Sequence, residues 1–466
     1  MMKERKTKRR CVKRSGGAVF SSAREDLIST LPDALISQIL LYLPTKEAVR
    51  TSVLSSRWKS VWLLIPKLDL DSKQFPDHNA FMGFMEKFID ISREHKSCLH
   101  KLKLRVHQNG SDQSCVTPWI DFVARRKLKH LDVECLSVKR DQYLEVIPLS
   151  LYICDTLVYL RIHGVSFGLF ESISLPRLKT MCLEQNAYAS EKVLESLISS
   201  CPVLEDLTIV RRTHDNVKVL RVHSQTLTCL SVGFDSGESD EAMHSYSKGE
   251  TRLWIDAPRL KYLYLENEVS KSKVISNTGS LVKVSFVDSC SYPSDEFAVS
   301  KQQIVRDFFT AISRVKDVTF SKSIMKLIWA YLQVQPLPWF CNMSCLEAEF
   351  SRSDVNILST FLERCPNLTS IVLDLTHCTT YQDSISFSRL PQCLLSSLEI
   401  VEIKSRFTGR SVEIKVARYF VENSLVLKKL VVHLSDSMQK RSLVHLRDLL
   451  ALPRPSNCQI VYVVDS

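Results

Sequence analysis

The chain has 466 residues, of which 45% are hydrophobic, so it is long enough to bury a large core, and its length favours two to four domains. No apolar run reaches the roughly 18 residues that cross a bilayer, and no apolar signal-peptide core follows the basic amino terminus, so we expect a soluble intracellular protein. The formal net charge of +11 is concentrated at the amino terminus, which argues against a basic nucleic-acid-binding surface on the folded part of the chain.

Residues 1–24 are predicted to form a disordered basic tail. Between Lys3 and Arg14 there are eight basic residues and one acid, Glu4, a net charge of +7 that leaves +4 for the rest of the chain. Such a cluster is typical of a nuclear-import signal or of a weak contact with a polyanion. A solvated tail without a specific role fits the same residues equally well, and both interpretations stay open.

Residues 31–62 carry more apolar side chains than a segment of this length buries by itself; they read LPDALISQILLYLPTKEAVRTSVLSSRWKSVW. Pro32 suits the first turn of a helix and Pro44 ends that helix, and apolar residues recur between them at helical spacing. Two further short helices are predicted to follow. The excess apolar surface has to be covered by the rest of the chain or by another protein.

The same stretch resembles the F-box motif through LP, I-x-x-IL-x-x-LP, AV-x-TSVLS-x-RW and a final W. The resemblance implies that residues 25–71 form a helical F-box, whose exposed apolar face inserts into the Skp-type adaptor of an SCF-type cullin-RING ubiquitin ligase. Leu40 and Trp58 are accordingly expected to lose their solvent only in the complex. A three-helix subdomain packed on its own chain is the alternative. The adaptor contacts that the resemblance implies are Leu31, Pro32, Ile36, Ile39, Leu40, Leu43, Pro44, Val49, Val53, Leu54, Arg57, Trp58 and Trp62.

Residues 72–97 are predicted to be a linker with one amphipathic helix, because Phe81, Phe84, Met85 and Phe88 recur at helical spacing. From residue 98 onward an LxxLxL pattern repeats, and a curved leucine-rich-repeat solenoid is predicted over residues 98–380. Each copy is expected to end in a short strand of a concave sheet, with helices on the convex side. The twelve clear copies begin at Leu99, Leu128, Leu157, Leu178, Leu204, Leu227, Leu260, Leu281, Val315, Leu368, Leu398 and Leu427.

The last part of the chain resembles the FBD region of the plant F-box/leucine-rich-repeat/FBD family. The resemblance lies between Gln392 and Leu434, in CLLSSL, the turn at Gly409, a helix containing ARYFVEN, and LKKL. The pair Ile414-Lys415 departs from the more acidic pair that is frequent in the family. The region is predicted to be strand, helix and strand, with a final strand near residues 459–464. We expect residues 381–466 to cap the last repeat of an α/β fold, and the resemblance implies no chemistry for them.

The predicted concave face supplies the candidate substrate contacts, because side chains alternate along a strand. Tyr and Arg anchor protein interfaces more than most residue types, so Tyr159, Arg161, Tyr262 and Tyr264 are the predicted contacts. Ordinary solvated strand positions are the alternative, with the acidic loop at residues 235–241 and the region after Gln392 as other substrate surfaces. The full predicted face comprises Lys101, Lys103, Arg105, His130, Asp132, Glu134, Tyr159, Arg161, His163, Arg221, His223, Tyr262, Tyr264 and Glu266.

No catalytic, cofactor or metal site is predicted. The chain has 11 glycines and lacks GxGxxG, GxxxxGK[ST], GxSxG and HExxH strings, so the loops of nucleotide sites and nucleophile elbows are missing. Its 12 histidines do not pair with cysteines at zinc spacing, and the pair Cys341 and Cys345 has no second pair near it. The 15 cysteines include no CxxC pair, which favours reduced, buried thiols.

The resemblance therefore implies a non-catalytic substrate receptor that binds a Skp-type adaptor, and through it a cullin, and that holds an unidentified protein substrate near the conjugating enzyme. The expected location is the nucleus, the cytoplasm or both, with no membrane and no specific nucleic acid as partner. Two alternatives remain: a scaffold that binds the adaptor without delivering substrates, and a nucleic-acid-binding repeat protein, whose binding would fall steeply with salt.

Overall fold

The chain divides into two compact units, Met1–Ile65 and Pro66–Ser466. The strand Lys67–Asp71 is part of the second unit, although it lies inside the range predicted for the F-box. The computed structural model describes residues 28, 30–95, 99–108, 116–137, 144–212, 215–234, 252–266, 272–287, 302–350, 355–375, 387, 390–407, 411–434 and 457–464.

The first unit is built from three short helices, α1 (Asp33–Leu40), α2 (Thr45–Arg50) and α3 (Trp58–Val61). A proline directly precedes each of the first two helices, at a position where a missing amide donor costs nothing. The carbonyl of Pro32 accepts a hydrogen bond from the amide of Ile36 at 3.1 Å, and that of Pro44 accepts one from Ala48 at 3.0 Å. The helical spacing predicted from the sequence is therefore observed.

A sheet of fifteen strands runs through the second unit, and each strand pairs in parallel with its neighbours. Strands are numbered along the chain, and those of the main sheet follow one another in chain order. They are β1 (Lys67–Asp71), β2 (Lys101–Gln108), β3 (His130–Ser137), β4 (Tyr159–His163), β6 (Thr180–Glu184), β8 (Asp206–Arg211), β10 (Cys229–Phe234), β12 (Tyr262–Glu266), β14 (Lys283–Val287), β15 (Asp317–Phe320), β16 (Cys345–Glu349), β17 (Ser370–Asp374), β18 (Ile400–Phe407), β19 (Lys429–Leu434) and β20 (Gln459–Val464).

All twelve predicted LxxLxL copies end in a strand of this main sheet, and the predicted final strand is β20. Two strands of the main sheet were not predicted. β1 carries its pattern in Leu68 and Leu70, inside the range assigned to the F-box, and in β16 Ala348 replaces the large apolar residue that ends a regular copy. The prediction that each copy ends in a strand is confirmed.

Two smaller parallel sheets accompany the main one. Arg221 and His223 belong to the three-stranded sheet, so their predicted place on the main sheet with Tyr159 and Tyr262 is wrong. The sequence VLRVH alternates as a main-sheet strand does, and alternation alone does not tell which sheet a strand joins. The strands are β9 (Val219–His223), β11 (Arg252–Asp256) and β13 (Ser272–Ser276) in the first, and β5 (Ser166–Phe167) and β7 (Ala187–Tyr188) in the second.

Helices lie in many of the connections between main-sheet strands, whereas the described parts of four other connections contain the short strands β5, β9, β11 and β13 and no α-helix. The amphipathic helix predicted in the linker is α4 (His78–His95), and the helix predicted in the FBD region is α12 (Ser411–Asn423), between β18 and β19. The helices of the second unit are α4 (His78–His95), α5 (Val116–Ala124), α6 (Leu149–Tyr152), α7 (Glu191–Ser199), α8 (Gln302–Ile312), α9 (Lys322–Leu332), α10 (Leu358–Leu362), α11 (Gln392–Ser396) and α12 (Ser411–Asn423).

The main sheet has one apolar and one polar face, because side chains alternate along each strand. In β4, Leu160 and Ile162 are buried in the core, whereas Tyr159, Arg161 and His163 are half-buried on the other side. We call the side formed by the first, third and fifth residue of each strand the polar face. Aligned registers place equivalent residues of successive strands in continuous rows across it.

Candidate functional site

The three-helix unit has a small core of its own. Ile36 and Leu40 lie one turn apart on the inner side of α1 and pack with Trp58 of α3. Leu40 is 1% exposed and Trp58 is 5% exposed, so the expectation that they lose solvent only in a complex is wrong. These three side chains hold the unit together, since helices this short need a shared core.

The remaining predicted contacts differ in exposure. Arg57 is half-buried and acts within the unit, since its Nε donates a hydrogen bond to Oδ1 of Asp33 at 2.8 Å and its guanidinium also donates to the carbonyl of Leu31. It thereby ties the start of α3 to the start of α1. The half-buried group also includes Leu31, Leu43, Val49 and Trp62. The exposed group comprises Pro32, Ile39, Pro44, Val53 and Leu54.

Two exposed side chains were missed by the sequence-based assignment. Tyr42 is 91% exposed, and Leu35 is also exposed, on the outer side of α1. Leu35, Ile39 and Tyr42 follow one another at i, i+4 and i+7, which brings them to one side of the helix and its last turn. We call Leu35, Ile39, Tyr42, Val53 and Leu54 the apolar surface of the unit. The helical spacing of Leu35 and Ile39 is evident in the sequence, but spacing alone does not tell which side of the helix faces solvent.

Ion pairs organise the first part of the polar face. Arg161 contacts Asp132 on one side at 3.1 Å and Glu184 on the other at 2.6 Å, measured from its guanidinium nitrogens to the carboxylate oxygens. Arg105 and Glu134 form a similar pair at 2.7 Å. Burial alone would lower the pKa of Arg161, but its hydrogen bonds and charge contacts with Glu184 and Asp132 raise it. Arg161 is therefore neutralised within the sheet before any partner arrives.

The four predicted substrate residues form two separate pairs. Tyr159 and Tyr262 share a register row but lie on β4 and β12, with β6, β8 and β10 between them. Four strand spacings amount to about 19 Å. Tyr264 shares the next row with Arg161 across the same strands. The side chains between the two pairs are Thr180, Cys182, Asp206, Thr208, Cys229 and Ser231.

Three family models match the chain in the order expected from its sequence. The F-box domain matches residues 28–68, the LRR repeats of FBD-associated F-box protein At5g56370 match residues 116–292, and FBD matches residues 386–432. The first match covers the three-helix unit with its apolar surface, and the second covers strands that form the polar face.

Relatives from Arabidopsis thaliana are similar over nearly the whole chain. FBD-associated F-box protein At5g22730 is 56% identical over 455 residues, 96% of each chain. FBD-associated F-box protein At5g44490 is 58% identical over 461 residues, which are 98% of this chain and 94% of the relative. The putative F-box/FBD/LRR-repeat protein At5g22610 is 51% identical over 98% of this chain and 92% of its own. The chain belongs to the FBD-associated F-box protein family.

The FBD of this F-box protein continues the main sheet. Its strand β18 pairs with β17 of the repeats, and β19 pairs with β18 in turn. The helix α12 buries Val416, Ala417 and Phe420. Beyond the matched region β20 adds a further strand, so the predicted strand, helix and strand are observed as the end of one sheet.

Further ion pairs lie on the polar face of the F-box protein towards the FBD. Nζ of Lys404 lies 2.6 Å from a carboxylate oxygen of Glu347, and Nε2 of His433 lies 2.9 Å from Glu402. The hydrogen bond to Glu347 raises the pKa of Lys404. Charges on the repeat strands and on the FBD strands therefore contact each other across one continuous face.

Burial keeps three of the thiols of the F-box protein in their protonated form. Burial raises the pKa of Cys182 and of Cys201 to about 12, and that of Cys229 to about 11, so these thiols are protonated at neutral pH.

Among the described residues, no group of three or more His, Cys, Asp or Glu side chains is placed to hold a metal ion. No described helix is long and apolar enough to span a membrane. The loop at residues 235–241 lies outside the described residues.

Proposed function

We propose that this F-box protein is the substrate-recognition subunit of an SCF-type ubiquitin ligase. In this proposal the apolar surface binds a Skp-type adaptor, and through it a cullin, while the polar face binds a protein substrate. The chain carries out no chemistry itself. It raises the rate of ubiquitin transfer by holding the substrate close to the charged conjugating enzyme.

The observation that carries the proposal is the exposure of large apolar side chains in the segment matched by the F-box model. Tyr42 is 91% exposed and Val53 is 85% exposed, and Leu35, Ile39 and Leu54 are exposed as well. Clustered apolar side chains on a folded unit are typical of a protein interface, because burial in a complex removes them from water. The buried Leu40 and Trp58 support the same proposal indirectly, since they fix the helices that present this surface.

Adaptor binding is tested by changing exposed residues that do not contribute to the core. The double variant Val53→Ser/Leu54→Ser should lose at least about tenfold in adaptor affinity, because each change removes apolar area worth about 1–2 kcal/mol. Lys59→Ser, a change of another exposed residue in the same unit, is the matched control and should bind as the original does. Undiminished adaptor recovery by the double variant would contradict the proposed binding surface.

Substrate delivery needs a separate measurement, because a scaffold that binds the adaptor would give the same pull-down. The complex is purified from cells in which the proteasome is inhibited, and ubiquitin transfer to the co-purified proteins is measured with and without the chain. We expect transfer that depends on the chain and disappears with Val53→Ser/Leu54→Ser. Adaptor binding without transfer to any co-purified protein would favour the scaffold.

The proposed location is the nucleus, with the cytoplasm as second compartment, because the basic cluster between Lys3 and Arg14 is typical of an import signal. This cluster lies outside the described residues.

We propose a protein rather than a nucleic acid as the partner of the polar face, because Arg105, Arg161 and Lys404 are paired with carboxylates there, and such pairing leaves little positive charge for phosphates.

A further inference from the structure

Asp206 lies in the middle of the small side chains that separate the two tyrosine pairs. Strand pairing places it in one row across five neighbouring strands, and each tyrosine of that row is two strands away, at a backbone separation of about 10 Å. No large side chain of the row stands between the carboxylate and either tyrosine. The order of the row is Tyr159, Thr180, Asp206, Cys229 and Tyr262.

No cation among the described residues pairs with Asp206. Its carboxylate accepts a hydrogen bond from the thiol of Cys229, and burial raises its pKa above the ordinary value. This environment differs from that of Asp132 and Glu184, which share the guanidinium of Arg161. A half-buried carboxylate without a cation has lost part of its hydration without a matching gain, and a bound cation would offset that loss.

A second carboxylate extends the negative charge of this part of the face. Glu266 ends β12, is exposed, and forms no ion pair with a described residue. Beside it in the register is Gly233, where an added Cβ would lie 2.6 Å from the carbonyl oxygen of Glu266. Gly233 is buried and has no side chain, so no side chain of β10 stands beside Glu266 in this row. With Arg161 already neutralised, the side chains between the tyrosine pairs carry one charge, that of Asp206, and Glu266 adds a second at the end of β12. Both are complementary to a basic partner.

The two tyrosines suit the same kind of partner. Tyr262 is 42% exposed. Tyr159 stacks on His130 with 5.9 Å between ring centroids, and burial lowers the pKa of His130, so the imidazole is uncharged at neutral pH. A neutral neighbour leaves the electron-rich face of Tyr159 attractive to a cation. Ammonium and guanidinium groups bind over aromatic rings within about 6 Å of the centroid.

We propose that Asp206, flanked by Tyr159 and Tyr262, receives a lysine or arginine side chain of the protein substrate. This inference rests on the proposed role of the polar face in substrate recognition and adds the chemistry of the recognised residue. The carboxylate supplies the charge-assisted hydrogen bond, and the tyrosine rings contact the cation and its aliphatic stem. A neutral or acidic substrate segment would leave Asp206 desolvated without a counter-charge.

The probe for this site is a library of random 12-residue peptides displayed on phage and selected against the full chain in complex with its adaptor. The original chain should enrich peptides with lysine or arginine at one position. Asp206→Asn should lose that enrichment, and Asp206→Lys should instead enrich aspartate or glutamate, because the charge of the site is reversed. The matched control is Glu205→Gln, which removes a negative charge one residue away, from a carboxylate that Lys179 already pairs at 2.8 Å, and it should select the same peptides as the original chain.

The best selected peptide is then synthesised with its basic residue replaced by acetyl-lysine, which keeps the stem and removes the charge. Affinity should fall roughly tenfold or more for the acetylated peptide, and similarly for the original peptide on Asp206→Asn. Tyr262→Ala should weaken binding, whereas Tyr262→Phe, which keeps the ring, should not. Circular dichroism of each variant shows that it is folded.

Three results would overturn the inference: selected peptides without an enriched basic position, an enrichment that survives Asp206→Asn, or no selected peptide at all. The same preparations are assayed for adaptor binding and for ubiquitin transfer to co-purified proteins. If the selected peptides lack a basic position while adaptor binding and ubiquitin transfer are both retained, the lysine or arginine site is rejected and the proposed function still stands. If the original chain supports no ubiquitin transfer to any co-purified protein, the result counts against the proposed function itself.

Discussion

Arg211 and Asp215 form an ion pair that is closed to solvent, with 2.7 Å between Nε and Oδ2 and side chains that are 0% and 1% exposed. Arg211 ends β8 on its inner side, and its guanidinium also donates to the carbonyl of Val217 and lies 4.9 Å from the centre of the Phe234 ring. The second carboxylate oxygen of Asp215 accepts from the amide of Val217 at 3.0 Å. The pair therefore ties the end of β8, the strand that carries Asp206, to residues 215–217.

Removal of one member of this pair should be strongly destabilising. We expect Asp215→Ala to lower the free energy of unfolding by about 3–5 kcal/mol, because it leaves a buried guanidinium without its counter-charge. Urea denaturation followed by circular dichroism measures the loss. Glu195→Gln, which breaks the exposed pair with Arg221, is the control and should cost less than about 1 kcal/mol. Similar midpoints for the two variants would contradict the burial of the pair.

Leu40→Ala/Trp58→Ala should unfold the F-box, whereas Val53→Ser/Leu54→Ser should not. Each core truncation costs about 2–5 kcal/mol, which exceeds what so small a unit withstands. Both double variants are expected to lose the adaptor, so binding alone does not separate them. Limited proteolysis does, since only the core variant should be cleaved rapidly between residues 30 and 65. Protease resistance of the core variant would mean that Leu40 and Trp58 are not core residues.

Glu134→Gln should destabilise the repeat unit at neutral pH but not in acid. Burial alone would raise the pKa of Glu134, but the hydrogen bond and charge of Arg105 and the charge of Arg161 lower it below the ordinary 4.5. A carboxylate with a lowered folded pKa stabilises the fold above its unfolded pKa and loses that contribution as the pH falls through the folded pKa. The difference in urea midpoint between original and variant should therefore shrink below pH 4.5, and a constant difference would contradict the pairing.

Asp206→Asn should have the opposite effect. Because burial raises the folded pKa of Asp206 above the ordinary 3.8, its ionised form opposes folding. The contribution of Asp206 to the free energy of unfolding is therefore most favourable below the ordinary pKa, and it falls as the pH rises through the folded pKa. The asparagine variant should consequently be slightly more stable than the original at pH 7 and equally stable near pH 3. Thermal unfolding at both pH values measures this, and a less stable variant at pH 7 would show that the carboxylate is compensated.

The amino-terminal tail should act independently of the folded units. Deletion of residues 1–15 is expected to shift a fluorescent fusion out of the nucleus without changing adaptor binding, because the deletion removes the +7 cluster and leaves the F-box residues in place. A charge-preserving shuffle of the same residues is the control. An unchanged distribution after deletion would assign the cluster to a solvated tail.

The sequence predicted the main sheet well because its signal is repeated. A copy such as Leu157, Leu160 and Ile162 places three side chains in the core, and the residues between them reach the polar face whichever copy is considered. The strand β16 was not predicted, because Ala348 is smaller than the apolar residue that usually occupies the third position of the LxxLxL pattern. β9 was assigned to the wrong sheet, because the residues that separate its sheet from the main one lie in the connections, not in the strand.

The candidate sites were predicted less well, because exposure depends on packing between helices and strands. Leu35, Ile36, Ile39 and Leu40 are all apolar and lie close together in the sequence, yet only the second and fourth face the core. On the polar face, residue type alone favoured Arg161, while its two carboxylate partners came from neighbouring strands 29 and 23 residues away. The sequence does not distinguish Asp206, which pairs with no cation among the described residues, from its paired neighbours, because the ion pairs form between strands.

The strict neighbour-to-neighbour order of the main sheet affects how such proteins diversify. Each strand is hydrogen-bonded only to the strands beside it, so gain or loss of one repeat between β4 and β12 changes the partners of the two flanking strands and of no other strand. It would nevertheless move Tyr262 by about 5 Å relative to Tyr159 and thereby change the spacing that a bound segment has to match. If the polar face binds the substrate as proposed, gain or loss of a repeat would therefore change the segment that is bound and leave the F-box residues as they are.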